Sequence, residues 1–573
     1  MGRVTDWLDE RIGARELARR VARRDVPGGP RLQYVFGAVL VYLFLQELVL
    51  GILLSLYYSP SATDAWASTA YIQDQVTAGW FIRGLHLHTS SAMIVLLVLH
   101  LLRVVWAGAY RKPRELIWWS GILMGLLVLG FSMSGYLLPW DQNAYWGTQV
   151  RTGILGSMPG GESLRVLAQG GGELGNLTIT RFYVIHAFLL PLATVALLAI
   201  HVLALRKHGV TPPAGIDAET LARRKTPYWP YQRFFDIVAM AVTGAVLIGL
   251  TVYTHGAELY APADPTAAFV ARPEWNFLFL FELVKLFEGP LQFIATGIIP
   301  GLVITLLLAL PFLDRAPDRS PRRRIPVLVF VASLMAGVVA LTAIAIVEDA
   351  GSEKFKEARE QQLREAERAR AFAKLGVPSA SSTSVWENDP DFKTRQLYQE
   401  HCATCHRIEG KGGEEAPSFD GYRGRQWLFD LVRNPADKRF FGGTKDHNAM
   451  DPLPASDVSD DDLWATVEYL YSLRGDAEDV DASKAEKGKQ LWDETLECSG
   501  CHEVEAGAEG AAPTLGGRGT VAWIARVIED SSAPDLFADT AEMPKFKDKL
   551  DEAQITALAE FIAAQGEPTS APE

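Results

Sequence analysis

Cysteine is scarce, with four residues in 573, and all four lie beyond residue 400. They fall into two copies of one motif, so none is left over to hold an iron–sulfur cluster. Residues 1–30 lack an apolar core run, and no cleavable signal peptide is expected there. That charged stretch, WLDERIGARELARRVARR, reads instead as an amphipathic helix lying on a membrane surface, with disorder as the plainer alternative. Methionine is thin in the last third: beyond Met335 only Met450 and Met543 occur. Acidic surplus is missing from the front of the chain and concentrated at the back. Residues 1–348 carry 29 Lys and Arg against 23 Asp and Glu, whereas residues 349–573 carry 26 against 45. A chain this long exceeds one domain, and its two parts face different solvents.

The front part contains seven long apolar runs, at about 33–57, 80–107, 115–138, 180–206, 233–253, 291–313 and 325–347. Each approaches the roughly 20 residues that a helix needs to cross about 30 Å of hydrocarbon. With seven crossings, the short basic loops at Arg19 to Arg24, Arg111 to Arg114, Arg206 to Lys225 and Arg315 to Arg324 share one side, which the positive-inside rule makes the cytoplasm. The odd number of spans then sends everything after about residue 348 to the opposite, oxidising side, the periplasm of a bacterium. The N-terminus is expected in the cytoplasm, and the protein in the inner membrane.

The cysteine motifs are Cys402-Ala-Thr-Cys405-His406 and Cys498-Ser-Gly-Cys501-His502. C-x-x-C-H is the haem c attachment pattern: the thiols form thioethers and the adjacent histidine reaches iron. A zinc site or a redox dithiol also uses Cys-x-x-Cys, but neither needs a histidine directly after it twice. The motifs sit in a longer repeat. Arg395-Gln-Leu-Tyr matches Lys489-Gln-Leu-Trp before them, Ala416-Pro417 matches Ala512-Pro513 after them, and each copy ends in an amphipathic helix, Asp461 to Leu473 and Asp551 to Ala564. A methionine as sixth ligand raises a haem's potential. Met450 and Met543 follow His406 and His502 at similar distances and are the expected distal ligands, each within its own copy. His447 is the rival in the first copy, and plain core filling is the ordinary role of a methionine.

Ionisable residues inside spans are costly and usually functional. The second run carries His86 and His100, 14 residues apart, and the fourth carries His186 and His201, 15 apart. At about 1.5 Å and 100° per residue each pair lies roughly 21 to 23 Å apart on about one helix face, the arrangement for two stacked haems. Both helices run inward, so His86 pairs with His186 near the outer surface and His100 with His201 near the cytoplasm. Gly37 and Gly51, and Gly121 and Gly135, repeat the 14-residue interval where a porphyrin edge would approach the backbone. Arg83 and Arg103 each lie three residues from a ligand and can pair with propionates. His88 points about 200° away from His86 and is set aside; His208 and His255 fall in loops.

These residues resemble the cytochrome b family of quinol:cytochrome c oxidoreductases (the bc1/b6f family), and more closely its b6 and subunit IV branch. Gly135-Tyr-Leu-Leu-Pro-Trp-Asp-Gln142, Lys112-Pro-Arg-Glu-Leu116 and Thr180-Arg-Phe-Tyr183 are b6-like almost letter for letter. The resemblance covers about residues 30–345, and the tail is similar to class I cytochrome c domains. It implies an all-α fold: a seven-helix cytochrome b bundle followed by two small helical cytochrome c domains. The expected divisions are a surface segment at 1–30, a four-helix part at 31–210 and a three-helix part at 211–348. A charged helix and linker at 349–390 precede cytochrome c domains at 391–476 and 477–573.

The resemblance also implies two non-covalent b haems, two covalent c haems and a quinol substrate oxidised at an outer site. One electron would go to a separate Rieske iron–sulfur protein and the other inward through the b haems, with net proton translocation. Glu274, in Pro273-Glu-Trp-Asn276, is the implied proton acceptor, with Tyr136 lining the same pocket. Glu274 taken alone would pass for an ordinary loop carboxylate. Asp236 and Arg206 match the inner quinone site. Asn276 stands where the family usually has tyrosine. Val35 stands where b6 proteins have the cysteine of an extra haem, and that haem is expected to be absent. Expected partners are the Rieske protein, the lipid and quinone pool, a cytochrome c or oxidase as acceptor and a second copy of the chain; nucleic acid is not among them. Two other readings compete: a dihaem membrane anchor that conducts electrons without an outer quinol pocket, and a donor to a photosynthetic reaction centre.

Overall fold

The computed structural model describes residues 6–7, 9–11, 13, 25–213, 216, 218–267, 269–287, 289–377, 382–389, 391–445, 450–477, 479–505 and 512–566. The chain divides into two compact units, Met1–Trp386 and Glu387–Glu573.

In the first unit seven helices are long and apolar enough to cross a membrane: Phe36–Ser55, Gly79–Trp106, Glu115–Leu137, Asn176–His208, Tyr228–Tyr253, Ile294–Leu313 and Ile325–Gly351. They fall on the seven apolar runs within a few residues. Helices are the natural outcome, because backbone groups in hydrocarbon must be satisfied within their own segment. Leu45, Ile52, Leu192, Leu203 and Val246 project outward from these spans as a lipid-facing surface. Proline punctuates the helices in a patterned way. Pro191 and Pro300 lack the N–H that would close an ordinary turn, and the segments just before them, Ile185–Leu189 and Ile294–Ile298, are wider π turns.

Three helices between spans, Ala65–Asp74, Gln142–Ser157 and Gly161–Gln169, escape a search for long apolar runs because they are short and only partly apolar. Asp141 caps the second of these by accepting from Ala144 N at 2.8 Å, and its other oxygen accepts from Tyr260 N at 3.0 Å. Trp66 donates its indole N–H to Tyr260 O at 2.7 Å. The connections after the first, third and fifth spans are thereby tied into one layer.

At the other end, Arg324 is only 1% exposed. It donates to Val105 O at 2.7 Å and Trp106 O at 2.5 Å, closing the end of the second span against the start of the seventh. Beside it, Tyr110 donates to Asp314 at 2.5 Å. A two-residue strand pair, Asp25–Val26 with Thr226–Pro227, is a minor departure from an otherwise helical membrane unit.

The expected charged helix is Glu353–Ala373, N-capped by Ser352, whose hydroxyl accepts from Phe355 N at 3.2 Å. Its buried face, with Ala369, Phe372 and Ala373, packs with Trp66, Ala70, Leu259 and Val385. Val385 lies in the short turn Ser382–Asn388, so the end of the Ser/Ala-rich stretch is docked on the unit. Most of the expected N-terminal surface helix, and His447, lie outside the described residues.

The second unit contains six α-helices among the described residues: α1 Phe392–His401, α2 Arg425–Arg433, α3 Asp460–Ser472, α4 Ala482–Gln490, α5 Val521–Asp530 and α6 Glu552–Ala563. Each cysteine motif follows an N-terminal helix, α1 or α4, and each half closes with an amphipathic helix, α3 or α6. The caps follow composition: Ser459, Asp481, Thr520 and Asp551 each accept from backbone N–H groups of the helix they begin.

Arg324→Ala removes the side-chain donor to Trp106 O and one of the two donors to Val105 O, which Gly108 N also reaches, and should cost about 1–3 kcal/mol. The check is a lower melting temperature in detergent; an unchanged melting curve would contradict the role given to this side chain.

Candidate functional site

The second and fourth spans bring His86 and His186 together in one half of the bundle. The rings of His86 and His186 lie 6.2 Å apart between centroids, at an interplanar angle of 76°. Two imidazoles that share one metal atom at roughly 2 Å from each ring nitrogen need about this spacing. The third span presents Ser134 and Gly135 to His186. The serine hydroxyl bonds His186 Nδ1 at 3.0 Å, and a Cβ at Gly135 would stand 2.6 Å from His186 Cε1. Fourteen residues earlier on the same span, about four turns away, the pattern recurs: Ser120 bonds His201 Nδ1 at 3.0 Å, and a Cβ at Gly121 would stand 3.5 Å from His201 Cε1. On the first span, a Cβ at Gly51 would meet His86 Cε1 at 3.7 Å. Gly37, the other member of that pair, meets no atom within 4 Å.

The unequal spacings, 14 residues on one helix and 15 on the other, are reconciled by the backbone. On a regular helix the two would differ by about 100° in direction. The π turn Ile185–Leu189 contains His186 and absorbs one extra residue before His201, so the fourth span behaves as though its spacing were also 14.

Two groups here were not visible in the motifs. Ser120 and Ser134 repeat the same 14-residue interval beside the glycines. Glu47, an acidic residue inside the first apolar run, forms a close ion pair with His86 Nδ1. An acid within a span was the available signal for Glu47. His100 Nδ1 is buried with no hydrogen-bond partner among the described residues. His88 is turned away as expected and bonds Thr254 at 2.9 Å. His255 is exposed but stacks on Trp80 at 4.7 Å, and His208 ends the fourth span rather than lying in a loop.

The arginines divide. Arg83 donates to Gln73 Oε1 at 2.9 Å, Ala257 O at 2.8 Å and Glu258 O at 2.7 Å, so its terminal nitrogens are engaged by the protein. Arg103 lies over the Tyr34 ring at 5.3 Å and donates to Thr211 O at 3.0 Å, and its buried Nε has no partner among the described residues.

Near the C-terminal end of the third span, Ser132 Oγ donates to Glu274 Oε2 at 2.8 Å and accepts from Asn276 Nδ2 at 3.3 Å. Tyr136 donates to Arg272 O at 3.3 Å, and the Arg151 guanidinium lies 4.4 Å over its ring. Burial pushes the Glu274 carboxyl above the ordinary glutamate range, opposed by the Ser132 hydrogen bond and the Arg151 charge. Asn276 Oδ1 is buried without a partner among the described residues. At the opposite end of the bundle, Asp236 is buried and accepts from Tyr228 at 2.7 Å and Gln232 at 3.0 Å, whereas Arg206 is exposed.

In the second unit both motif histidines are held alike. His406 Nδ1 bonds Pro417 O at 2.8 Å and His502 Nδ1 bonds Pro513 O at 2.9 Å, so that Nε2 of each is the nitrogen that could bind a metal. Burial pushes both imidazoles below the ordinary histidine range, favouring the neutral, ligating form. Met543 packs in one apolar cluster with Cys402 and Ala403, and Met450 in another with Leu496 and Val467.

Because the Ser132 bond favours the carboxylate, Ser132→Ala should raise the pH at which Glu274 ionises. The check is an infrared titration of the carboxyl band that disappears in Glu274→Gln; a lower or unchanged titration point would contradict the assignment.

Known proteins resemble this chain over most of its length. Four family models match: "Cytochrome b/b6/petB" over residues 23–209, "Cytochrome b(C-terminal)/b6/petD" over 262–354, "Cytochrome c" over 393–474 and "Cytochrome C oxidase, cbb3-type, subunit III" over 483–562. Cytochrome b6 of Porphyra purpurea and that of Auxenochlorella protothecoides are each 37% identical over 214 residues, covering 37% of this chain and all of the relative. A solved structure described as a hyperthermophilic respiratory Complex III aligns with a TM-score of 0.51 and 26% identity, over 63% of this chain and 99% of that one. The chain therefore belongs to the cytochrome b family of bc1/b6f type, a multi-pass membrane oxidoreductase subunit in which b6-like and subunit IV-like parts are fused to a C-terminal cytochrome c region, with haem b and haem c as its cofactors.

Proposed function

We propose that the chain is the cytochrome b subunit of a quinol:cytochrome c reductase with its own dihaem cytochrome c. It oxidises quinol at an outer site with a separate Rieske protein, sends one electron inward to a quinone site and exports the other through the tail, with net proton translocation. The observation that carries this reading is the pairing of a half-buried, hydrogen-bonded Glu274 with two histidine pairs on the second and fourth spans.

Four histidines fit two haems by their donor chemistry. Ser134 and Ser120 occupy Nδ1 of His186 and His201, Glu47 occupies Nδ1 of His86, and the Nε2 atoms remain for iron. His86 with His186 would hold the outer haem b, and His100 with His201 the inner one. Cys402, Cys405 and His406, and Cys498, Cys501 and His502, would hold two covalent c haems. Bound at these places the haems supply one-electron relays. Arg103, with its free Nε, is the stronger candidate for a propionate partner, because Arg83 would first have to release its carbonyl contacts.

The protein's own part at the outer site is proton management. Glu274, whose carboxyl burial pushes above the ordinary glutamate range, accepts a quinol proton when ionised and can pass it toward water. Ser132 holds the carboxyl in place, Tyr136 walls the pocket, and the unpartnered Asn276 Oδ1 can accept from a quinol hydroxyl. At the inner site, buried Asp236 with Tyr228 provides the proton-carrying group, and exposed Arg206 is a weaker member.

A Rieske protein is needed as partner because every cysteine already belongs to a C-x-x-C-H motif. An inner bacterial membrane with the tail in the periplasm, a homodimer and a cytochrome c or oxidase acceptor complete the proposal. The basic loops of the first unit support that orientation, and the acidic balance of the tail suits docking of a basic acceptor.

Glu274→Gln should slow quinol oxidation by about 100-fold or more, the usual worth of a positioned base, while haem spectra stay intact. Turnover equal to the parent would remove Glu274 from the reaction.

A further inference from the structure

Each cytochrome c half, read along the sequence, has its own N-terminal helix, cysteine motif, methionine and closing helix. The packing does not follow that order. Helix α1, which leads into Cys402, packs on α6, the closing helix of the other half: Tyr398 lies 5.9 Å from Phe561, Arg395 stands 4.9 Å over the Phe561 ring, and His401 lies 5.9 Å from Phe546. Helix α4, which leads into Cys498, packs on α3, the closing helix of the first half. Tyr469 lies 6.0 Å from Trp492, and Lys487 pairs with Asp462 at 2.6 Å. At that crossing Gly488 is essential for contact, since a Cβ there would stand 2.0 Å from Ala465 O. Helices α2 and α5 stay with the closing helices of their own halves, on α3 and α6. Among the described residues α1 has no packing of similar extent on α3, nor α4 on α6.

The two crossover segments meet in the middle: Arg423 donates to Gly519 O at 2.8 Å, and Gly517 N donates to Leu473 O at 2.9 Å. The apolar clusters are divided accordingly. One joins Tyr398, Cys402 and Ala403 to Ile524, Phe546, Leu558 and Met543, and the other joins Leu496 to Leu428, Val467 and Met450.

From this exchange we infer that each haem c pocket is built from both halves, so that the iron held by His406 takes Met543 as its distal ligand and the iron held by His502 takes Met450. The inference rests on the reading of both motifs as haem sites, and it replaces the pairing suggested by sequence order. A short connection between α3 and α4 explains the arrangement: nine residues join two helices, which favours an antiparallel hairpin. With α4 in that hairpin, the place α1 would occupy in a self-contained half is filled, and α1 packs on α6 instead. Neither half is then a free-standing electron carrier, and the two redox centres are fixed relative to each other by shared core.

The test uses the full-length chain. Pyridine haemochrome analysis first counts the covalent haems, and a count of zero would remove the haem reading itself rather than the exchange. In Cys498→Ser/Cys501→Ser, which keeps only the His406 haem, Met543→Ala should abolish the methionine-to-ferric-iron charge-transfer band and Met450→Ala should retain it. A band that survives Met543→Ala, or is lost on Met450→Ala, overturns the inference. If those variants do not mature, zero-length carbodiimide coupling of the parent protein decides. Peptide mass spectrometry should find Lys487 joined to Asp462, whereas coupling of α4 lysines to Glu552 or Glu560 of α6 would overturn the exchange.

Discussion

The constraint on which the membrane unit depends is the cost of placing imidazoles in hydrocarbon. A histidine inside a span is costly where its ring nitrogens go unused, and of the four only His100 leaves its buried Nδ1 without a hydrogen-bond partner or paired charge among the described residues. Here one nitrogen of His186 and of His201 is taken by a serine on the third span, and one of His86 by Glu47 on the first, which leaves the remaining nitrogens directed to a shared purpose. Glycines opposite the rings clear the volume. The neighbouring spans are therefore selected around the second and fourth, and the packing of the bundle and its redox chemistry are one problem with one solution.

The outer and inner ends serve that bundle differently. On the outer side, Asp141, Tyr260 and Trp66 knit three connections into a layer, and Glu274 is suspended from Ser132 within reach of it. On the inner side, Arg324 and the Tyr110–Asp314 pair close the second span against the sixth and seventh. Charged groups thus stand at span ends or in pairs, where desolvation is offset by hydrogen bonds.

Much of this was legible in the sequence, for identifiable reasons. Apolar runs fix spans because the bilayer sets their length, and the two C-x-x-C-H motifs mark the two regions that match cytochrome c models. His86, His100, His186 and His201 stood out because charge in hydrocarbon is rare. The π turn at Ile185–Leu189 was not legible, although Pro191 signals it in hindsight, because periodicity assumes a regular helix. Ser120, Ser134 and Glu47 were missed because a single polar residue in a span has many ordinary roles. The short interspan helices were missed because they bury only one face. The exchanged helices of the tail were missed for a deeper reason: local propensity is identical whether α1 packs on α3 or on α6, and only long-range pairing distinguishes them.

The account stands most directly on the pairs of imidazoles. The decisive measurement is a reduced-minus-oxidised optical spectrum, with low-temperature electron paramagnetic resonance, of the purified parent and of His86→Ala and His201→Ala variants. Two low-spin bis-histidine b signals are predicted in the parent, with the outer one lost in His86→Ala and the inner one lost in His201→Ala. A parent without such signals, or a variant that keeps both, would contradict it.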